Sequence, residues 1–186
     1  MDVPSTEIRP LRAADGEAWR ALRLQALEQE PASFAASFEE AVQTDPAEFA
    51  RRIPAEGGAD VLLGLFVDGV LEGAAGFLVQ GGPKRRHKGL LWGVYVRPAW
   101  RDRGFAKALV RRVIDHARGH AALLQASVTA GNDAARRIYL ELGFEPYGLE
   151  PAALRVDGRD FDEELLWLDF RGAALPAPGL SDRRAP

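Results

Sequence analysis

Cysteine is missing altogether from these 186 residues. That excludes disulfide staples, cysteine nucleophiles and thiolate metal sites, and it is compatible with a reducing compartment. Long apolar runs are missing as well. The longest, Val61 to Val67, falls far short of the roughly 20 residues that a membrane-spanning helix needs. The N-terminus lacks a basic segment followed by an apolar one, so no secretory leader is read there and a cytoplasmic location is expected. Neither sign of charge dominates: 24 Lys and Arg against 27 Asp and Glu leave a net charge of -3. Such a balance argues against a chain whose main work is coating nucleic acid or an anionic membrane. Histidine is scarce. His116 and His120 stand four apart, but Ala117 replaces the Glu of a zinc-protease motif and Gly119 disrupts the helix, so no metal is expected. There is also no Gly-x-Ser-x-Gly elbow, no Gly-x-x-x-x-Gly-Lys phosphate loop and no Gly-x-Gly-x-x-Gly fingerprint.

What is present suits one domain, residues 1–170, with a substantial core: 47% of the chain is apolar. Beyond it, the Ala, Pro, Gly and Arg content of residues 171–186 offers nothing to pack, and a disordered tail is expected. Glu7 to Leu11 reads as a first strand. Asp15 reads as a cap for a helix carrying Trp19, Leu22, Ala26 and Leu27, and Pro31 ends that helix. Phe34 and Phe38, four apart, suggest a second helix, and Asp45-Pro46 the cap and first turn of another. Val61–Val67 and Val70–Val79 read as strands joined at Asp68-Gly69, a common hairpin signal. Leu90–Val96 and Leu123–Val128 are further strands. Helices follow from Phe105 and over Asp133–Leu142, and two closing strands flank Asp157-Gly158. This order implies a mixed sheet with helices on both faces, neither all-parallel nor a Rossmann fold.

The most informative stretch is Arg97 to Ala106. Pro98 ends the strand by fixing φ and removing an amide donor, and Gly104 sits where the first helical turn begins. The first amides of a helix lack internal partners and carry the positive end of the dipole, so a helix opened by Arg101, Arg103 and Gly104 suits an anion. A pyrophosphate fits that description.

Arg101-x-x-Gly104-x-Ala106 after a strand ending Val94-Tyr95-Val96 resembles the acetyl-CoA signature of the GCN5-related N-acetyltransferase (GNAT) family. Downstream, Asn132, Ala135 and Ile138 to Phe144 are similar to the family's later helix and the strand after it. The resemblance covers roughly Glu7 to Phe170. It implies an α/β fold, mixed α+β in type: a twisted sheet of about seven strands, splayed between two central parallel strands, with helices on both faces. It implies acetyl-CoA as acyl donor and a primary amine as acceptor, brought together in a ternary complex for direct attack. Main-chain groups of Val94, Tyr95 and Val96 are then expected to meet the pantetheine arm. Arg101, Asp102, Arg103, Gly104, Phe105 and Ala106 are expected around the diphosphate, with Asn132 on the pantetheine and Tyr139 at the reacting sulfur. Relatives often form homodimers, and no feature here decides assembly.

Other readings stand beside these. Asn132 also suits a helix cap, Tyr139 also suits packing against Leu142 and Phe144, and Arg101 and Arg103 also suit solvated charges. Many relatives carry a basic Glu on the signature strand, but Leu90 to Val94 holds no carboxylate. Glu72, Glu39 or Glu40 could instead accept the amine's proton through water. The acceptor is expected beside Pro31–Val42, with Phe34, Phe38 and Trp92 as an apolar wall. The missing carboxylate keeps open an acetyl-CoA-binding sensor without turnover. The run Lys84-Arg85-Arg86-His87-Lys88 reads as a solvated loop, or as contact with an acidic acceptor or RNA. The run is short and lacks interleaved aromatics, which makes an RNA-binding module the weaker alternative.

Overall fold

The computed structural model describes residues 4–172; the expected tail lies almost wholly outside them. Seven strands form one sheet: β1 (Thr6–Pro10), β2 (Val61–Val67), β3 (Val70–Val79), β4 (Lys88–Val96), β5 (Leu123–Thr129), β6 (Glu145–Val156) and β7 (Arg159–Asp169). Their order across the sheet is β1-β2-β3-β4-β5-β7-β6, and only β4 and β5 run parallel. The helices are α1 (Gly16–Gln29), α2 (Phe38–Gln43), α3 (Pro46–Arg51), α4 (Phe105–Ala117) and α5 (Asp133–Glu141). No helix among the described residues is long and apolar enough to cross a membrane.

Side-chain alternation along the strands supplies two apolar layers. Leu63, Leu65, Phe77, Leu91, Leu124 and Leu166 pack with Leu109, Val110 and Val113 of α4 on one face. Leu62, Phe66, Ala74 and Tyr95 face Trp19, Leu22 and Ala26 of α1 and Phe49 of α3 on the other. Leu109, Val110 and Val113 are fully enclosed, and burial of each such side chain contributes about 1.5–3 kcal/mol. The hairpin read at Asp68-Gly69 forms as expected, with φ of 47° and 81°.

Two local expectations change. Phe34 and Phe38 do not share a helix: Phe34 is extended (φ -142°, ψ 138°) after a single 3-10 turn, Pro31–Ser33, and α2 begins at Phe38 behind a Ser37 cap. The 3-10 turn held by Pro31 ends before the periodicity can continue. Asp15 makes no side-chain cap on α1. Its carboxylate instead takes two hydrogen bonds from Arg9, at 2.7 and 2.9 Å, and one from the Arg12 amide at 2.8 Å. A bidentate guanidinium within reach outcompetes a neutral amide for the same oxygens. Asp45 does cap α3, through the Ala47 amide at 2.7 Å, with Pro46 in the first turn.

The hydrogen bonds from Arg9 hold the Asp15 carboxyl below its usual range. A lowered folded pKa contributes stability at neutral pH that is lost as pH falls through that pKa. Asp15→Asn is therefore expected to lower the urea midpoint at pH 7. The gap to the parent should begin to narrow as pH falls through the ordinary carboxylate value of about 4 and keep narrowing below it, in denaturation curves run across pH.

Candidate active site

The parallel ladder between β4 and β5 consists of Lys88↔Leu123, Gly89↔Leu124 and Leu90↔Gln125, and stops there. From Leu91 to Val96, β4 keeps its partner β3 but has none on the β5 side, while β5 continues to Thr129 paired only with β7. The two strands part at the middle of the sheet. A bulge in β4 accompanies the parting: Tyr95 faces Ala74 and Trp92 faces Gly76, so Gly93 and Val94 together oppose Ala75. Gly93 has φ +66°, a conformation glycine adopts without the Cβ penalty, and such bulges sharpen strand bend and twist.

Beyond β4 the chain makes a 3-10 turn, Pro98–Trp100, and enters α4. Asp102 (φ 59°) and Gly104 (φ 81°) are both left-handed, and Gly104 is the N-cap residue. Ser37, Asp45 and Asn132 cap their helices with side chains, whereas α4 has no side-chain cap. The amides of Asp102, Arg103 and Gly104, and those of Phe105 and Ala106 in the first turn, donate to no other group among the described residues. A Cβ at Gly104 meets nothing within 4 Å, so the space before these donors is open. A row of free N–H groups at the positive end of a 13-residue helix is an arrangement that suits an anion.

The cationic side chains there, though exposed, are engaged by the chain itself. Arg101 donates from Nε to the Val96 carbonyl (3.0 Å), pairs with Glu30 (3.0 Å) and lies 5.5 Å from the Tyr95 ring centre. Arg103 covers the Trp100 ring at 4.7 Å. The Val96 carbonyl, expected free on the open side, is thus taken by the chain's own guanidinium.

Three contacts tie the segment after α1 across the parted strands: Arg101 to Glu30, the Tyr95 hydroxyl to Gln29 Oε1 (2.8 Å), and the buried Thr129 hydroxyl to the Ala32 carbonyl (2.6 Å). Sequence reading did not single out Gln29, Glu30 or Thr129, because each partner lies more than 60 residues away. Beside this segment opens a cleft of about 640 Å³, lined by residues of 27–39 on one side and 153–157 on the other. Phe34 and Phe38 line it as expected, but Trp92 does not. Trp92 lies against the bare Cα of Gly76, edge-on to Trp19 with ring centres 6.3 Å apart, within the α1-side core. The far wall is the end of β6, whose Asp157-Gly158 turn the sequence announced without saying what it faces. Behind Phe34, 4.5 Å from its ring centre, sits Arg23; burial brings its pKa down to about 10, and its Nη1 finds no partner among the described residues.

Of the other expected site residues, Asn132 accepts the Ala135 amide at 3.2 Å and so caps α5. It also lines a second cavity of about 290 Å³, with Thr129, Arg136 and Glu164. Tyr139 is buried in the same core cluster as Val96 and Val128, with its ring 5.5 Å from Phe144. Burial pushes its phenol well above the usual value near 10, so the hydroxyl stays protonated. Glu72 pairs with Arg97 at 3.5 Å, Glu39 lines the 640 Å³ cleft, and Glu40 is exposed on α2. Among the described residues no group of three or more His, Cys, Asp or Glu is arranged to hold a metal ion.

Comparison with known proteins agrees with this geometry. A family model described as the acetyltransferase (GNAT) family matches residues 19–144. The N-alpha-acetyltransferase RimI of Mycobacterium tuberculosis is 40% identical over 65 residues, 35% of this chain, and the match spans only 40% of that relative's length. A GNAT-family acetyltransferase structure from Streptococcus pneumoniae superposes with a TM-score of 0.77 at 20% identity, over 89% of this chain and 99% of the other. The structure of yncA from Salmonella typhimurium, solved with its cofactor acetyl-CoA, gives 0.73 at 24% identity, over 92% and 97%. At these identities the two structures establish the fold.

The contact between Thr129 and Ala32 is the simplest of the three ties to remove. Thr129→Val is expected to cost about 1–2 kcal/mol of unfolding free energy in urea titrations, since it leaves a part-buried carbonyl without its donor. Limited proteolysis should show faster cutting near Ala32–Ser37.

Proposed function

This chain belongs to the GNAT acetyltransferase family, and on that premise we propose that it transfers the acetyl group of acetyl-CoA to a primary amine by direct attack within a ternary complex. The observation that carries this reading is the unpaired β4 edge beyond Leu90 leading into the uncapped start of α4. An extended amide-bearing arm suits the first, and a diphosphate suits the second. The free amides of Asp102 to Ala106 hold the diphosphate. Val94 and Tyr95, with what remains free on Val96, accept the arm as a strand would. Arg101 shapes the turn through Val96 and Glu30, and Arg103 adds positive charge beside it.

Acetyl-CoA, when bound, supplies a thioester whose thiolate, with a pKa of about 8.5, departs more readily than an amine whose conjugate acid has a pKa of about 10.4. Help for the leaving group is therefore modest, and a neutral hydroxyl suffices. Tyr139, kept protonated by burial, donates to the departing sulfur. Asn132, already fixed as the α5 cap, offers its remaining amide N–H groups to the arm. The amine enters from the cleft between α2 and the end of β6, where Glu39 is the carboxylate, of those considered, that can receive its proton through water. The name of one relative, an N-alpha-acetyltransferase, supports an amine as the acceptor.

Tyr139→Phe is expected to slow single-turnover acetyl transfer by about 10- to 1,000-fold with CoA affinity intact. A change of less than twofold removes the tyrosine from the chemistry. The Arg101→Ala, Arg103→Ala double variant is expected to weaken CoA binding by about tenfold or more in calorimetry, with a smaller effect on turnover of bound substrate. Release of free CoA, measured over a panel of amines, distinguishes an enzyme from a protein that only binds the donor.

A further inference from the structure

The turn between β3 and β4 takes no part in the reaction described above. Residues 81–87 are all exposed, and the turn is compact. The amides of Arg85 and Arg86 both donate to the Gly82 carbonyl at 3.1 Å, and that of Lys88 to the Arg85 carbonyl at 2.9 Å. Lys84, Arg85, Arg86 and Lys88 thus project from a fixed backbone. None of the four forms an ion pair or a side-chain hydrogen bond among the described residues, whereas Arg9, Arg97, Arg101, Arg136 and Arg155 elsewhere do.

The turn is not alone at this end of the sheet. The His87 carbonyl accepts the amides of Ala122 and Leu123, at 2.8 and 3.2 Å, which sets the turn beside the segment that joins α4 to β5. Arg118 and His120 are exposed there, and the rings of His116 and His120 lie 4.5 Å apart. The carboxylates on the adjoining elements are Asp60, which accepts the Val79 amide, Asp115 of α4, and Asp169 opposite Leu123, which is already paired with Arg171 at 2.9 Å. Permanent cations therefore outnumber anions in this patch, although the whole chain carries a net charge of -3. Paired charges are a solvated surface; a cluster of like charges held together without partners costs self-repulsion that a polyanion relieves.

We propose that this surface binds the phosphodiester backbone of single-stranded RNA, with Lys84, Arg85, Arg86, Lys88 and Arg118 on phosphates and the exposed His120 ring as a platform for a base. Cations spaced along a turn match a chain that carries one charge per nucleotide, and an adjacent planar ring is what an unstacked base seeks. An acidic peptide would use the cations but not the ring. The site lies at the paired end of the β4–β5 ladder. β4 spans nine residues from Lys88 to Val96, which puts about 25 Å between this surface and the far end of β4, where the chain turns toward the start of α4. It therefore stands or falls independently of acetyl transfer.

The test is fluorescence anisotropy of a labelled 15-nucleotide single-stranded RNA with the full chain, from 25 to 200 mM salt, beside the Lys84→Ala, Arg85→Ala, Arg86→Ala variant. Each phosphate contact on a single strand contributes about 0.7 to the slope of log affinity against log salt. The parent is expected to show a slope of about -2 to -3.5, and the variant to lose about 2 from it, with CoA affinity and urea midpoint unchanged. Equal binding and slope for parent and variant would overturn the proposal. So would equal or tighter binding of a labelled Glu-rich peptide of matched charge, which would assign the surface to an acidic protein partner instead.

Discussion

Peptide groups must be paired, and β4 breaks that rule on one side by leaving β5 after Leu90. Everything distinctive about the molecule follows from this parting. A sheet that stayed zipped to Val96 would be a covered scaffold with its polar groups satisfied internally. Opened, it exposes a strand edge in the middle of the protein, which is costly unless something with amides and carbonyls of its own completes it. The same departure carries the chain out into the turn at Pro98 and delivers the start of α4 beside the opening, so the strand edge and the free helix amides are consequences of one geometric event.

The opening is held by ordinary devices. The bulge at Gly93 bends β4 where it still has β3 to lean on, and the aliphatic layer under α4 keeps the two strands anchored at their paired ends. On the other face, the end of α1 is tied to β4 through Gln29, and the segment after it to the turn beyond β4 through Glu30 and to β5 through Ala32. These ties span the gap without filling it, and they set one wall of the neighbouring cleft. Arg101 belongs to the same scheme: its guanidinium joins the end of β4 to Glu30 at the C-terminal end of α1, so the donors left free at the turn are mainly main-chain amides.

The two ends of the sheet differ in kind. Where β4 and β5 part, charges are largely paired and the free groups are main-chain donors. Where they remain paired, a compact turn carries cations that nothing nearby neutralises. The proposed chemistry and the proposed docking surface, at different ends of one sheet, could vary separately, since a loop tip tolerates change that the strand edge does not.

Much of this was legible in the residues. Apolar runs bounded by turn residues located the strands of the sheet, Asp68-Gly69 announced its hairpin, and Pro98 with Gly104 marked a strand-turn-helix, because each depends on neighbours close along the chain. Periodicity misread Phe34 because Pro31 starts a turn of its own, and capping preference misread Asp15 because Arg9 competes for it. The sequence by itself determined which segments are strands and helices and where free amides cluster, since these are matters of local φ, ψ and side-chain pattern. Only the tertiary structure decided that β4 and β5 part at Leu90, that Arg101 turns toward Glu30, and that the end of β6 closes the cleft opposite Phe38. Each of these is a contact between segments far apart in the chain, fixed by which groups find partners once the layers have packed.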